Sequence, residues 1–306
     1  MSTLPTVVFI DDEERILRSL RMLFRGKAEV LATTSATEVY GWVRTRPVHV
    51  VVSDQRMPGA TGVEVLREVA RLSPPTMRIL LTGYADLEAV TASVNEGEIF
   101  RFVEKPWDGP YLVDAVLRAA ETARQDLEAA AQPAPAREPA PVATAAQVLV
   151  LDPAATMAAT VRELLPASIA VKAAADVEQA LHELARRETA VVIAVLTDAT
   201  GDVVDAIKRL KALRPATLVI AVSSIRDSRL AIGLINEGQI FRFLLAPPVR
   251  ELLRRCLISA LERHAQLRTT PRLLRRHEVE APRAPAPSLP GRLLDAWRRL
   301  REGVGR

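Results

Sequence analysis

Short apolar runs recur along the chain at residues 6–10, near 28–32, 48–53, 77–81 and 99–103. They are rich in Val, Ile and Leu and too short for helices, so they predict buried strands. Helical patterns lie between them. Ile16, Leu17, Leu20, Leu23 and Phe24 share one helical face, and Val63, Leu66, Val69 and Ala70 share another. Five such strands alternating with five helices predict an α/β fold with a parallel sheet covered on both faces. Right-handed crossovers make it doubly wound. In such folds the working crevice lies at the carboxyl ends of the strands, where the strand order reverses.

The pattern occurs twice. A shift of 141 residues aligns the two halves without a gap: Asn95–Phe102 (NEGEIFRF) lands on Asn236–Phe243 (NEGQIFRF), and Val7–Asp11 on Val148–Asp152. Val50-Val51-Val52 lands likewise on Val191-Val192-Ile193. This is a duplication of a whole domain, with too few copies for a solenoid. Gln132–Ala146 (QPAPAREPAPVATAA) and Ala281–Pro290 (APRAPAPSLP) are extended Pro/Ala stretches that cannot build a core. The expected organisation is a first domain at 1–131, a linker at 132–146, a second domain at 147–266 and a basic tail at 267–306. Both domains are expected to be five-stranded, parallel and doubly wound.

With 306 residues and 49% apolar content, the chain has room for two cores. Cys256 is the single cysteine, which rules out an intramolecular disulfide and a cysteine metal cluster. No apolar run is long enough to span a bilayer, and Met1–Pro5 shows no secretory signal, so a cytoplasmic location is expected. The net charge of +4 is uneven. Residues 266–306 hold ten Arg against four acids, a charge of +6, which leaves the remainder at −2. The basic character belongs to the tail, and the body is a poor nucleic-acid binder.

The expected strand ends of the first copy carry unusual residues. Strand one ends in Asp11-Asp12, strand three in Asp54 and strand four in Thr82, and Lys105-Pro106 follows strand five. Singly, each has an ordinary reading, such as a helix cap or a solvated loop charge. Together, three carboxylates in one crevice repel each other unless something positive sits among them. Mg²⁺ with oxygen ligands, helped by an ammonium, answers that need.

The stretches Asp11-Asp12-Glu13, Ser53–Gly59 (SDQRMPG), Leu81–Asp86 (LTGYAD) and Val103–Asp108 (VEKPWD) carry a family resemblance. Over residues 6–125 the chain resembles the CheY-like receiver domain of two-component response regulators, a flavodoxin-like fold. The resemblance implies that Asp54 is the phosphoacceptor. It implies that Asp11, Asp12, Asp54 and the backbone carbonyl of Arg56 hold Mg²⁺, that Thr82 hydrogen-bonds the phosphoryl group and that Lys105 pairs with it. Phe102 would be the switch aromatic that fills the space Thr82 leaves. The implied donor is the phosphohistidine of a histidine kinase or phosphotransfer protein.

The second copy keeps the framework and loses the chemistry. Asp12 becomes Pro153, Asp54 becomes Val195 and Lys105 becomes Ala246, while Asp11 is kept as Asp152 and Thr82 becomes Ser223. It resembles a receiver that folds without accepting phosphate and serves docking or dimerisation, which leaves room for a homodimer. Asp198 would serve as acceptor only with a local slip in alignment. His264 is better read as part of a continuing last helix than as a kinase phosphoacceptor. The final segment, Gly291–Gly305, puts Leu293, Leu294, Trp297 and Leu300 on one helical face among Arg residues. A partner, an anionic membrane or nucleic acid could each take it, and a solubilising tail is the plain alternative. No catalytic output domain is visible, so the chain is expected not to be an enzyme beyond its own phosphorylation and dephosphorylation. The competing expectations are an interaction scaffold and a regulator that touches nucleic acid through the tail.

Overall fold

A computed structural model of the chain describes residues 4–83, 99–130, 146–197, 201–225, 228–236 and 240–269. The chain divides into two compact units, Met1–Ala136 and Arg137–Arg306. The expected linker, apart from Ala146, lies outside the described residues, as do Asp198 and the tail beyond Thr269.

The first unit runs β1 (Thr6–Ile10), α1 (Glu14–Leu23), β2 (Glu29–Thr33), α2 (Ala36–Thr45), β3 (Val50–Asp54), α3 (Gly62–Leu72), β4 (Met77–Thr82), β5 (Arg101–Glu104) and α4 (Gly109–Ala130). A two-residue antiparallel ribbon, Arg56–Met57 with Ala60–Thr61, precedes α3. The five strands are parallel and ordered β2-β1-β3-β4-β5, so the order reverses between β1 and β3. Strands β1, β3 and β4 are buried along their whole length. Parallel strands covered on both faces need unbroken apolar runs, which is why these segments do not alternate.

The strands fall within two residues of those expected. The largest differences are at the starts of β3 and β5, each two residues later than its apolar run, while β3 ends at Asp54 as expected, paired with Leu81 of β4. Helix α1 buries Leu17 and Leu20, and Phe24 at its end packs on Phe9 with ring centroids 5.0 Å apart. Ile16 and Leu23, on the same expected face, are only partly buried. Helix α3 buries Val63, Leu66 and Val69 as expected, and Val65 as well, since it packs against α2 besides the sheet. Its start is closed by a capping box in which Thr61 and Glu64 exchange hydrogen bonds.

The second unit runs β6 (Gln147–Leu151), α5 (Met157–Leu164), β7 (Val171–Ala174), α6 (Val177–Arg186), β8 (Thr189–Leu196), α7 (Gly201–Leu213), β9 (Leu218–Ser223), α8 (Ser228–Asn236), β10 (Arg242–Leu245) and α9 (Arg250–Thr269). Its five parallel strands are ordered β7-β6-β8-β9-β10, the same topology as the first unit. The long last helix buries Leu253, Cys256, Leu257, Ala260, His264 and Leu267. No helix among the described residues is long and apolar enough to cross a membrane.

Candidate functional site

The first unit's sheet gathers its charged residues where β1, β3, β4 and β5 end. Asp11 follows β1 and is almost fully buried, and its main-chain N–H donates to the carbonyl of Thr33 at 3.4 Å. Its Oδ1 accepts the N–H of Glu13 at 2.9 Å, which turns the chain into α1. Asp54 is the last residue of β3, 6% exposed, and its Oδ2 accepts the N–H of Arg56 at 3.1 Å. Asp12 is exposed at the mouth. Ligand oxygens of Asp11, Asp12 and Asp54 all lie within 4.8 Å of one another.

Lys105 enters from the end of β5. Its main-chain N–H donates to the carbonyl of Thr82 at 2.9 Å, which fixes it beside β4. Its Nζ lies 2.7 Å from Asp54 Oδ1 and 3.1 Å from Asp11 Oδ2, joining the two buried carboxylates. The ammonium also sits 5.6 Å from the centre of the Trp107 ring. Thr82 is fully buried, one residue past the Leu81 that pairs with Asp54. Phe102 is fully buried on β5, paired with Leu80.

The charges do not balance. Burial pushes the carboxyl of Asp11 above its ordinary range, the Glu13 N–H and Lys105 pull it back, and the like charge of Asp54 adds to the rise. Burial pulls Lys105 down, but its bonds and charge contacts with Asp54 and Asp11 outweigh that and leave it above the usual lysine range. One ammonium against three carboxylates leaves a deficit of positive charge. A hard divalent cation with oxygen ligands fits these donors.

The second unit keeps the frame at this place. Val195 pairs with Val222 as Asp54 pairs with Leu81, and the N–H of Ala246 donates to the carbonyl of Ser223 at 2.8 Å as Lys105 does to Thr82. The chemistry differs. Asp152 accepts four hydrogen bonds, from the N–H groups of Ala154 (3.0 Å), Thr156 (2.7 Å) and Met157 (2.8 Å) and from the Thr156 hydroxyl (3.2 Å). Burial works against its charge, but these bonds hold its pKa below the ordinary range. Ser223 Oγ accepts the N–H of Ile225 at 3.0 Å.

The first unit's candidate site residues all lie in the described residues. Asp11, Asp12, Asp54 and Lys105 come together, and Thr82 and Phe102 lie on the adjoining strands. Arg56 is placed by its N–H on Asp54. Gln55 and Gly62 were given no role from sequence, yet both touch the backbone of this site. The signal was present in the duplication, which puts Leu196 and Val203 at the corresponding positions.

Comparison with known proteins finds matches to the first unit. The response regulator receiver domain model matches residues 7–117. The chain is 42% identical over 116 residues to the hydrogenase transcriptional regulatory protein HoxA of Cupriavidus necator, a stretch covering 38% of this chain and 24% of HoxA. It is 30% identical over 129 residues to the C4-dicarboxylate transport transcriptional regulatory protein DctD of Rhizobium meliloti, covering 42% of this chain and 28% of DctD. The crystal structure of the signal receiver domain of an HD domain-containing protein from Pseudomonas fluorescens shares 32% identity, with a TM-score of 0.40 over 42% of this chain and 95% of that one.

The chain thus spans about a quarter of the length of these two curated relatives. That overturns the expectation that it is not an enzyme. The similarity takes in the receiver part alone, and most of each relative lies beyond it. A receiver part is no ground for denying the whole protein a catalytic output. The receiver match covers residues 7–117, and the second unit is an α/β domain of the same strand order. Residues 7–117 are a response regulator receiver domain, the phosphorelay module of two-component systems.

Proposed function

We propose that Asp54 accepts a phosphoryl group from the phosphohistidine of a histidine kinase or phosphotransfer protein. The P–N bond of the donor breaks and a P–O bond to the Asp54 carboxylate forms. The bonding pair returns to the imidazole nitrogen, which later takes a proton. The observation that carries this reading is Lys105 Nζ at 2.7 Å from Asp54 Oδ1 and 3.1 Å from Asp11 Oδ2. An ammonium so placed neutralises phosphoryl oxygens as the group arrives, and it needs no reorganisation to do so.

Asp11, Asp12, Asp54 and the carbonyl of Arg56 would hold Mg²⁺, which when bound supplies the rest of the positive charge that the incoming oxygens require. The Thr82 hydroxyl would bond the phosphoryl group. Phe102 would repack as Thr82 moves, shifting the population between two arrangements of the surface around β5, α4 and the helix expected between β4 and β5, which lies outside the described residues. The second unit would take no phosphate, because Val195 has no nucleophilic oxygen and Ala246 no charge. It would serve as a docking or dimerisation module. Donors of this kind and Mg²⁺ are met in the cytoplasm, where the protein would act.

Acetyl phosphate with Mg²⁺ tests the reading on the full chain. The expected result is one phosphoryl group per molecule, none after chelation of the metal and none in Asp54→Ala. Uptake by Asp54→Ala at the wild-type rate would contradict it.

A further inference from the structure

Helix α3 begins in contact with the backbone of Asp54. A Cβ on Gly62 would overlap the carbonyl oxygen of Asp54 and lie 2.9 Å from its carbonyl carbon and 2.7 Å from Leu80 Cδ1. Only glycine lets the helix come this close. The N–H of Gly62 donates to the carbonyl of Gln55 at 3.0 Å, and the N–H of Gln55 donates to the carbonyl of Leu81 at 3.0 Å. Gln55 is 6% exposed, and its side-chain Oε1 accepts the N–H of Val63 at 3.3 Å. That N–H belongs to the first turn of α3 and has no partner within the helix. Gln55 therefore ties β4 and the start of α3 to the residue before it, Asp54.

The second unit is an internal control. At the same offset it has Leu196 for Gln55 and Val203 for Gly62. Its strand order is nevertheless the same, its pairing at Val195 matches that at Asp54, and Leu196 is fully buried. The fold forms without the glutamine and without the glycine. The copy that has lost the acceptor carboxylate has lost the brace with it.

We infer that Gln55 is a positioning residue for phosphoryl acceptance, acting with Gly62 to set the backbone from which Asp54 reaches the phosphoryl group. The inference rests on Asp54 being the acceptor. Asp54 has one oxygen on Lys105 and the other on the Arg56 N–H, so a tilt of its backbone disturbs both. Misplacing a reacting group by about 1 Å can slow a reaction about a hundredfold.

Gln55→Leu, which copies the second unit, is the test, made in the full chain with acetyl phosphate. The initial rate of phosphoryl uptake at saturating Mg²⁺ is expected to fall about ten- to a hundredfold. The unfolding midpoint should stay well above the assay temperature, so that the rate is read on folded protein. Gln55→Met, of similar length and without the acceptor oxygen, should behave the same way and serves if the leucine variant does not fold. A wild-type rate in either folded variant would overturn the inference. So would a slow rate explained wholly by a lowered unfolding midpoint. Uptake in Asp54→Ala, or none in wild type, would instead remove the acceptor reading on which the inference stands.

Discussion

Lys105 and Lys211 show how differently one side chain type behaves in the two units. Lys105 lies between two buried carboxylates, and its charge is held on. Lys105→Ala should slow phosphoryl uptake about a hundredfold or more, by analogy with removing one oxyanion donor elsewhere, while Asp54 still accepts. Rates from intact-mass time courses check this. Lys211 is fully buried on α7, where Ala70 stands in the first unit. Its Nζ donates to the carbonyls of Pro215 and Thr217 at 2.8 and 2.9 Å. Burial pulls its pKa down to about 7. An unfolded chain binds this proton up to about pH 10 and the folded one only to about 7, so stability rises with pH between these limits. Relative to Lys211→Met, the wild type should therefore gain stability from pH 7 to 9.5, by no more than about 1.4 kcal/mol per pH unit. Urea unfolding at a series of pH values reads the difference, and a flat difference would contradict it. Asp11, Asp12, Asp54 and Lys105 were legible in the sequence because isolated charges at apolar run ends stand out. Gln55 was not, since a glutamine in a turn looks solvated until its burial under α3 is seen.

At the scale of elements, unbroken apolar runs made the central strands legible, while their ends depended on partners. The starts of β3 and β5 fall two residues inside their apolar runs, and no local propensity records that. Another unforeseen feature is what became of Asp152. With Pro153 and Ala246 in place of Asp12 and Lys105, its carboxylate instead closes the turn before α5 through four hydrogen bonds. Asp152→Ala should destabilise the second unit by about 1–2 kcal/mol, since it removes the carboxylate that caps the turn into α5. Asp152→Asn, which keeps an oxygen, should do less harm. The native pKa is depressed, so this contribution is present at neutral pH and is lost as pH falls through the native titration. Chemical denaturation at pH 7 and pH 3 checks both sign and size. Equal stabilities of wild type and Asp152→Ala at pH 7 would show that the turn does not need the carboxylate.

For the whole molecule, the duplication was readable at a glance from a single offset, and the two sheets share one strand order. The chemistry proposed for each copy rests on substitutions at a few strand ends. The catalytic standing of the whole was not, because the relatives extend far beyond the shared part. The central claim is that one copy accepts phosphate at one residue and the other copy at none. Phosphorylation of the full chain with acetyl phosphate and Mg²⁺, followed by borohydride reduction and peptide mass spectrometry, tests it directly, because an aspartyl phosphate is converted to homoserine where it stood. The account predicts homoserine at position 54 and unmodified aspartates throughout 146–269. Homoserine at position 152 or 198, or anywhere but 54, would contradict it.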